Sequence, residues 1–215
     1  MSESSHSETR VPGGGGSVSG IVLAGGESRR MGGVNKALLK IGDLPIIERV
    51  TRILSRVLPH VIVITNTPED FRFLGLPMFQ DLRPGYGALG GLYTGLKECA
   101  PDFGFLVACD MPFLCAGIIE HMMRRTQHYD VIVPRLRGKL EPLHAIYSKT
   151  CLPVVEDLMN NDDLKIINFF NRVRVLELDE KDLLSLDPDL RFIMNLNTTQ
   201  DLERAQKIGE RFPDK

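Results

Sequence analysis

The chain has 215 residues, enough for one sizeable α/β domain or two small ones, and its 43% hydrophobic and 25% charged content is that of a soluble globular protein. A formal net charge of −2 provides no bulk attraction to nucleic acid or to an acidic membrane surface, and no apolar run approaches the roughly eighteen residues of a membrane span. The four cysteines (Cys99, Cys109, Cys115, Cys151) form no Cys-x-x-Cys pair and no zinc-type spacing with histidine, so buried free thiols in a reducing cytosol are expected.

In chain order, Met1 to Ser19 is rich in Ser and Gly, lacks the h-region of a signal peptide, and is expected to be a disordered tail. Residues 20–215 then read as one domain without repeat or linker. Ile21-Val-Leu23 suits a strand covered on both faces. Apolar residues from Leu44 to Leu58 fall at helical spacing until Pro59 stops them. Val61–Ile64 is a second strand and Leu76–Phe79 a third; Gly90–Cys99 is a helix, Phe103–Cys109 a strand, Ala116–Thr126 a helix and Asp130–Pro134 a strand. Strands alternating with helices predict an α/β fold, a Rossmann-like three-layer arrangement around a mostly parallel sheet. From about Leu140 the pattern is more irregular, with a short antiparallel piece expected around Leu143–Tyr147 and helices near Leu152–Met159 and Thr198–Arg211.

Two points on this framework carry chemistry. After the first strand, Gly25, Gly26, Gly32 and Gly33 are interleaved with Arg29, Arg30 and Lys36. Glycine lets the backbone approach a ligand and aim N–H groups at it, and the cations suit an anion; a flexible turn with solvated charges is the plainer reading. The loop is not a Walker A motif. Gly85-Tyr-Gly-Ala-Leu-Gly90 matches a dinucleotide fingerprint, but Asp81-Leu-Arg-Pro84 separates it from any strand, so a dinucleotide site is rejected; close backbone approach to a ligand or to a neighbouring helix explains the glycines. The second point is Asp110, closing an apolar strand in Ala108-Cys-Asp-Met-Pro112. It is either a helix N-cap or a hard oxygen ligand for Mg²⁺ that shares the ion with substrate phosphates. Both points lie at carboxyl ends of strands, where open α/β sheets bind ligands.

Taken together, Leu23-Ala-Gly-Gly-Glu-Ser-Arg-Arg-Met-Gly-Gly-Val-Asn-Lys36, Asp81 with Pro84-Gly-Tyr-Gly-Ala-Leu-Gly-Gly91, Ala108-Cys-Asp-Met-Pro112 and Asn195-Leu-Asn-Thr-Thr-Gln-Asp-Leu202 resemble, in order, the motifs of the MobA-like nucleotidyltransferases. The likeness spans about residues 20 to 205 and is greatest to the guanylyl-transferring branch. It implies transfer of GMP from GTP to molybdenum-bound molybdopterin, with release of pyrophosphate and Mg²⁺ as cofactor. Carried over by position, it implies that Leu23, Ala24, Gly25 and Gly26 hold the nucleotide and that Arg30 and Lys36 meet the triphosphate. Asp81 would help recognise the nucleoside, and Gly87 and Gly91 would line the base pocket. Asp110 would bind Mg²⁺ and phosphates; Asn195 and Asn197 would act near the pterin-bearing substrate. It also implies transient contact with cofactor-biosynthesis enzymes or acceptor molybdoenzymes, and no nucleic-acid or membrane partner. The chain departs from the family in having Asn35 where Asp is frequent, Ala88 where Pro is frequent, and Ile64 where some relatives have a nucleotide-contacting Asn, with Asn66 close by as a nucleotide-binding residue.

The residue types suit that chemistry. Attack on an α-phosphorus needs charge neutralised on phosphates and the reactants held in line, and no nucleophilic side chain. Two alternatives stand beside this reading: a cytidylyl-transferring relative, or a nucleotide-binding protein without turnover. Glu141-Pro-Leu-His-Ala-Ile-Tyr147 resembles the guanylyl branch, and His144 within it is expected to be a packed or capping residue rather than a ligand.

Overall fold

A computed structural model describes residues 16–25 and 35–211. β1 (Val18–Leu23) begins inside the segment set aside as a tail, since Val18 and Ser19 pair with neighbouring strands. A 3-10 turn (Lys36–Leu38) leads to a small hairpin, β2 (Lys40–Ile41) and β3 (Leu44–Pro45), and then to α1 (Ile46–Val57). The helix starts later than its apolar pattern because Leu44 and Pro45 are used in the hairpin. There follow β4 (His60–Ile64), a 3-10 segment (Pro68–Leu74), β5 (Met78–Phe79), α2 (Gly87–Glu98), β6 (Phe103–Ala108) and α3 (Ala116–Met123). The second half holds β7 (Val131–Leu136), β8 (Lys139–Leu140), β9 (His144–Ser148), α4 (Leu152–Asn160), β10 (Val175–Asp179), α5 (Glu180–Leu184) and α6 (Thr199–Arg211). β10 was not expected, although its alternation of Leu176 and Leu178 with Glu177 and Asp179 is a strand signal.

The main sheet has the order β10-β7-β9-β6-β1-β4-β5, with β8 on β7. β1 runs parallel to β4 and β6, β4 to β5, and β7 to β10. β9 is the expected antiparallel piece, but it lies inside the sheet between β6 and β7 and pairs with both. Its amino end at His144 therefore lies beside the carboxyl end of β6 at Val107.

Side chains of each strand alternate between two cores. Val22, Val63, Val107, Ile132 and Ile146 pack on one face with Ile47, Val50 and Leu54 of α1 and Ile118, Ile119 and Met122 of α3. Ile21, Ile62, Leu106, Val133 and Tyr147 pack on the other with Leu89, Leu92 and Leu96 of α2 and Val155 and Met159 of α4. Burial on both faces is why these strands read as continuous apolar runs. α2 sits close to the sheet because glycine faces it: a Cβ at Gly91 would lie 2.7 Å from Leu23 Cδ2, and one at Gly95 would lie 2.3 Å from Ile21 Cγ2. A small third cluster of Ile41, Ile46, Leu196 and Ala205 docks α6 and the segment before it onto the hairpin.

Candidate active site

The parallel strands β1, β4, β5 and β6 end on one edge, and each gives way there to a polar loop. After β1, the ladder runs on through Ala24 N–H to Ile64 O (2.9 Å), and a side chain added at the next residue, Gly25, would meet no atom of the described residues within 4 Å. Leu23, Ala24 and Gly25 thus lie on this edge; Gly26 and Arg30 lie outside the described residues.

On the β4–β5 side, Asn66 and Asp81 grip each other. Asp81 N–H donates to Asn66 Oδ1 (3.1 Å) and Asn66 Nδ2 donates to Asp81 Oδ2 (3.4 Å). Asp81 Oδ1 is buried without a partner among the described residues. Burial pushes the Asp81 carboxyl above its ordinary range, opposed by the Asn66 bond. Leu82 N–H donates to Thr94 Oγ1 (3.0 Å), tying this loop to α2. Gly87, with φ of 54°, opens that helix in a conformation glycine adopts without strain. Gly91 is buried one turn further on, where its missing side chain makes room for Leu23.

On the β6 side, Cys109 N–H continues the ladder to Leu23 O (3.0 Å), and Asp110 follows in a turn. Asp110 does not cap a helix: the next one begins at Ala116 behind Cys115. Its carboxylate is half-buried and has no hydrogen-bond partner on another described residue; burial raises its pKa, opposed by its own backbone N–H and by the Lys36 charge. Neighbouring Cys109 is pushed up to about 12, chiefly by burial and then by Asp110, so it is an inert thiol. All four cysteines are free, three of them buried.

Lys36 closes the constellation from the far side. Asn35 caps its 3-10 turn by accepting from Ala37 N–H (3.2 Å). The Lys36 side chain is buried, 7% exposed, and its Nζ donates to Leu196 O (3.3 Å) and Asn197 O (3.2 Å). Leu196 N–H in turn donates to the main-chain oxygen of Asp110 (3.1 Å). The structure therefore brings Lys36, Asp110 and the Asn195–Asn197 segment together, with both asparagines exposed. That segment is anchored by Asp201 Oδ2, which accepts from Asn197 N–H (3.0 Å), Thr198 N–H (2.8 Å) and Thr198 Oγ1 (2.9 Å). The sequence reading missed Asp201, although Thr-x-x-Asp before a helix is a capping-box signal.

His144 is fully buried at the same edge, its ring centroid 4.9 Å from Phe105 and 4.7 Å from Phe192. Burial holds its pKa down to about 3, so it is neutral, and neither ring nitrogen has a partner among the described residues. It is a packed residue, as expected. No group of three or more His, Cys, Asp or Glu among the described residues is placed to hold a metal by itself.

A polar edge at the carboxyl ends of a doubly covered, mostly parallel sheet is where open α/β folds bind ligands, and a lone carboxylate beside a buried lysine suits an anionic one. The profile of the MobA-like NTP transferase domain matches residues 20–174, and the chain belongs to that family. It is 37% identical over 190 residues to a molybdenum cofactor guanylyltransferase of Desulfosudis oleivorans, covering 88% of this chain and 94% of that one. It is 40% identical over 194 residues to a probable molybdenum cofactor guanylyltransferase of Pelotomaculum thermopropionicum, covering 90% and 94%. Among solved structures, the molybdopterin-guanine dinucleotide biosynthesis protein A of Archaeoglobus fulgidus shares the fold, with a TM-score of 0.79 at 24% identity over 90% of this chain and 100% of that one. In this structure no helix of the described residues is long and apolar enough to cross a membrane.

Proposed function

We propose that this enzyme is a molybdenum cofactor guanylyltransferase, moving GMP from GTP to the terminal phosphate of molybdenum-bound molybdopterin. The observation that carries the reading is the meeting of Lys36, Asp110 and the Asn195–Asn197 segment on the edge that also bears the Asn66–Asp81 pair. The names of the relatives support guanylyl over cytidylyl transfer. A phosphate oxygen of the acceptor attacks the α-phosphorus of GTP; the new P–O bond forms as the bond to the β-phosphate breaks, and pyrophosphate leaves with that electron pair.

Each part of the edge then has a task. The backbone at Leu23–Gly25, with Gly26 and Arg30 beyond, cradles the nucleotide. Lys36 has three N–H donors and uses two on Leu196 and Asn197, leaving one for a phosphate oxygen. Asp81, oriented by Asn66, helps recognise the nucleoside, and Gly87 leaves the start of α2 open to it. Asn195 and Asn197 face the acceptor. Mg²⁺ fits Asp110: an edge carboxylate with no hydrogen-bond partner on another described residue suits an ion that takes one or two carboxylates and draws further oxygens from substrate phosphates. The ion would supply charge neutralisation on the phosphates, and it would favour the ionised form of a carboxyl that burial disfavours. A cytoplasmic location, with transient contact to cofactor-biosynthesis enzymes or recipient molybdoenzymes, accords with this role.

The test is nucleotide selectivity. Binding of GTP, CTP, ATP and UTP is compared by calorimetry with Mg²⁺ present, followed by transfer to molybdenum-molybdopterin. GTP is expected to bind tightest and to be the donor used. Preference for CTP would replace this reading with cytidylyl transfer; binding of GTP without pyrophosphate release would replace it with a non-catalytic role.

A further inference from the structure

The buried position of Lys36 has a consequence for the acceptor half of the site. A lysine acting only on the triphosphate needs no protein acceptors, yet this ammonium is held between Leu196 O and Asn197 O, 160 and 161 residues away in sequence. The ammonium grips two successive carbonyls of the segment that bears the exposed asparagines, that of Leu196 lying between them and that of Asn197 just after. The same segment is fixed by Leu196 N–H on Asp110 O and by Asn197 N–H on Asp201. Leu196 itself is buried in a cluster with Ile41 and Ile46, so the segment is seated on the hairpin as a strap beside Lys36 and Asp110.

We propose that Lys36 is a positioning residue for the acceptor as well as a phosphate contact: one cation ties the strap bearing Asn195 and Asn197 to the donor nucleotide. The chemistry follows from the donor count. An ammonium shared between two carbonyls and a phosphate oxygen is attracted to all three, and the phosphate supplies the full negative charge that the carbonyls lack. Binding of the donor fixes the ammonium, and the fixed ammonium fixes the segment that bears the asparagines. Coupling of this kind is reciprocal, so an acceptor held by the strap also tightens the nucleotide. The consequence for the reaction is synergy, each substrate binding more tightly when the other is in place. The role of the strap in seating the acceptor rests on the guanylyl-transfer reading; the tether itself does not.

The experiment is hydrogen exchange on the full chain, following peptides that span residues 194–198, in the parent and in Lys36→Met. Without any substrate, Lys36→Met is expected to exchange at Leu196 and Asn197 at least about tenfold faster, since two charge-assisted bonds are lost. GTP with Mg²⁺ is expected to slow exchange of these peptides in the parent and to have no such effect in the variant at a GTP concentration that saturates it. Unchanged exchange in Lys36→Met would overturn the tether, and a parent whose strap ignores bound GTP would overturn the coupling. Asp201→Ala probes the strap without touching the nucleotide side: GTP affinity should hold while KM for molybdenum-molybdopterin rises about tenfold. An unaltered acceptor KM in that variant would also overturn the inference. If the parent binds CTP in place of GTP, the guanylyl reading fails, and the substrate-free comparison of parent and Lys36→Met still decides the tether.

Discussion

Gly95 tests the account of how α2 is seated. A methyl group there would lie 2.3 Å from Ile21 Cγ2, 2.9 Å from Cδ1 and 3.2 Å from Cγ1, all inside the distance that carbon atoms tolerate. Ile21 has no room to withdraw, because its Cδ1 already fills the space over Gly104, where an added Cβ would meet it at 2.3 Å. The backbone of α2 must therefore move away from β1 or Ile21 must leave its rotamer. Overpacking of this kind costs about 1–3 kcal/mol, and the pinned isoleucine argues for the upper end. Alanine returns about 1 kcal/mol in helix propensity. The net expectation for Gly95→Ala is a loss of about 2 kcal/mol, which for a chain of this size lowers Tm by about 4–8 °C. Urea unfolding followed by circular dichroism measures it, and a double-mutant cycle assigns the cause. Ile21→Ala alone should cost about 2–5 kcal/mol through the cavity it leaves. Added to Gly95→Ala, it relieves the clash, so the pair should be more stable than the sum of the singles by at least about 1 kcal/mol. A Gly95→Ala protein as stable as the parent, or strict additivity in the cycle, would refute the close-packing explanation.

Asp110→Asn should leave Tm within about 1 °C of the parent, because this carboxylate caps no helix and bonds no described side chain, while guanylyl transfer falls by orders of magnitude. Assays over a Mg²⁺ titration check it, and an active variant with unaltered Mg²⁺ dependence would sink the ligand assignment. His144 is neutral in the fold and, unfolded, titrates near its ordinary 6.5, so its contribution is fully present above that pH and is lost as pH falls toward about 3. Within that window the loss approaches about 1.4 kcal/mol per pH unit. His144→Leu should abolish that part of the slope and raise stability at pH 7 by about 1 kcal/mol by removing two unpartnered nitrogens. Unfolding curves at pH 4.5, 5.5 and 7 decide it: a variant that tracks the parent at all three would mean the imidazole titrates normally.

Local pattern was enough to place most of the elements and both chemical points. Ile21–Leu23, Val61–Ile64 and Phe103–Cys109 read as buried strands because each is covered on both faces, and the helices between them force a parallel sheet. Parallel strands end on one edge, so the glycine turn and Asp110 had to share it, and this came from residue order alone. The capping-box signal of Thr198 and Asp201 is equally local, and so is the alternation of β10. Other features have no local signature. β9 could have paired at an edge, and its place between β6 and β7 depends on which apolar faces fit one another once the helices are packed. Gly91 and Gly95 fall in a segment that reads as a helix, but the reason for glycine there is visible only once Leu23 and Ile21 fill the space above them. Lys36 meets the backbone of Leu196 and Asn197, and carbonyl groups are the same at every residue, so no side chain in the sequence names its partner. The sequence determined which residues carry charge to the edge; the folded chain decided what that charge holds, because main-chain contacts between distant segments exist only after the core has brought them together.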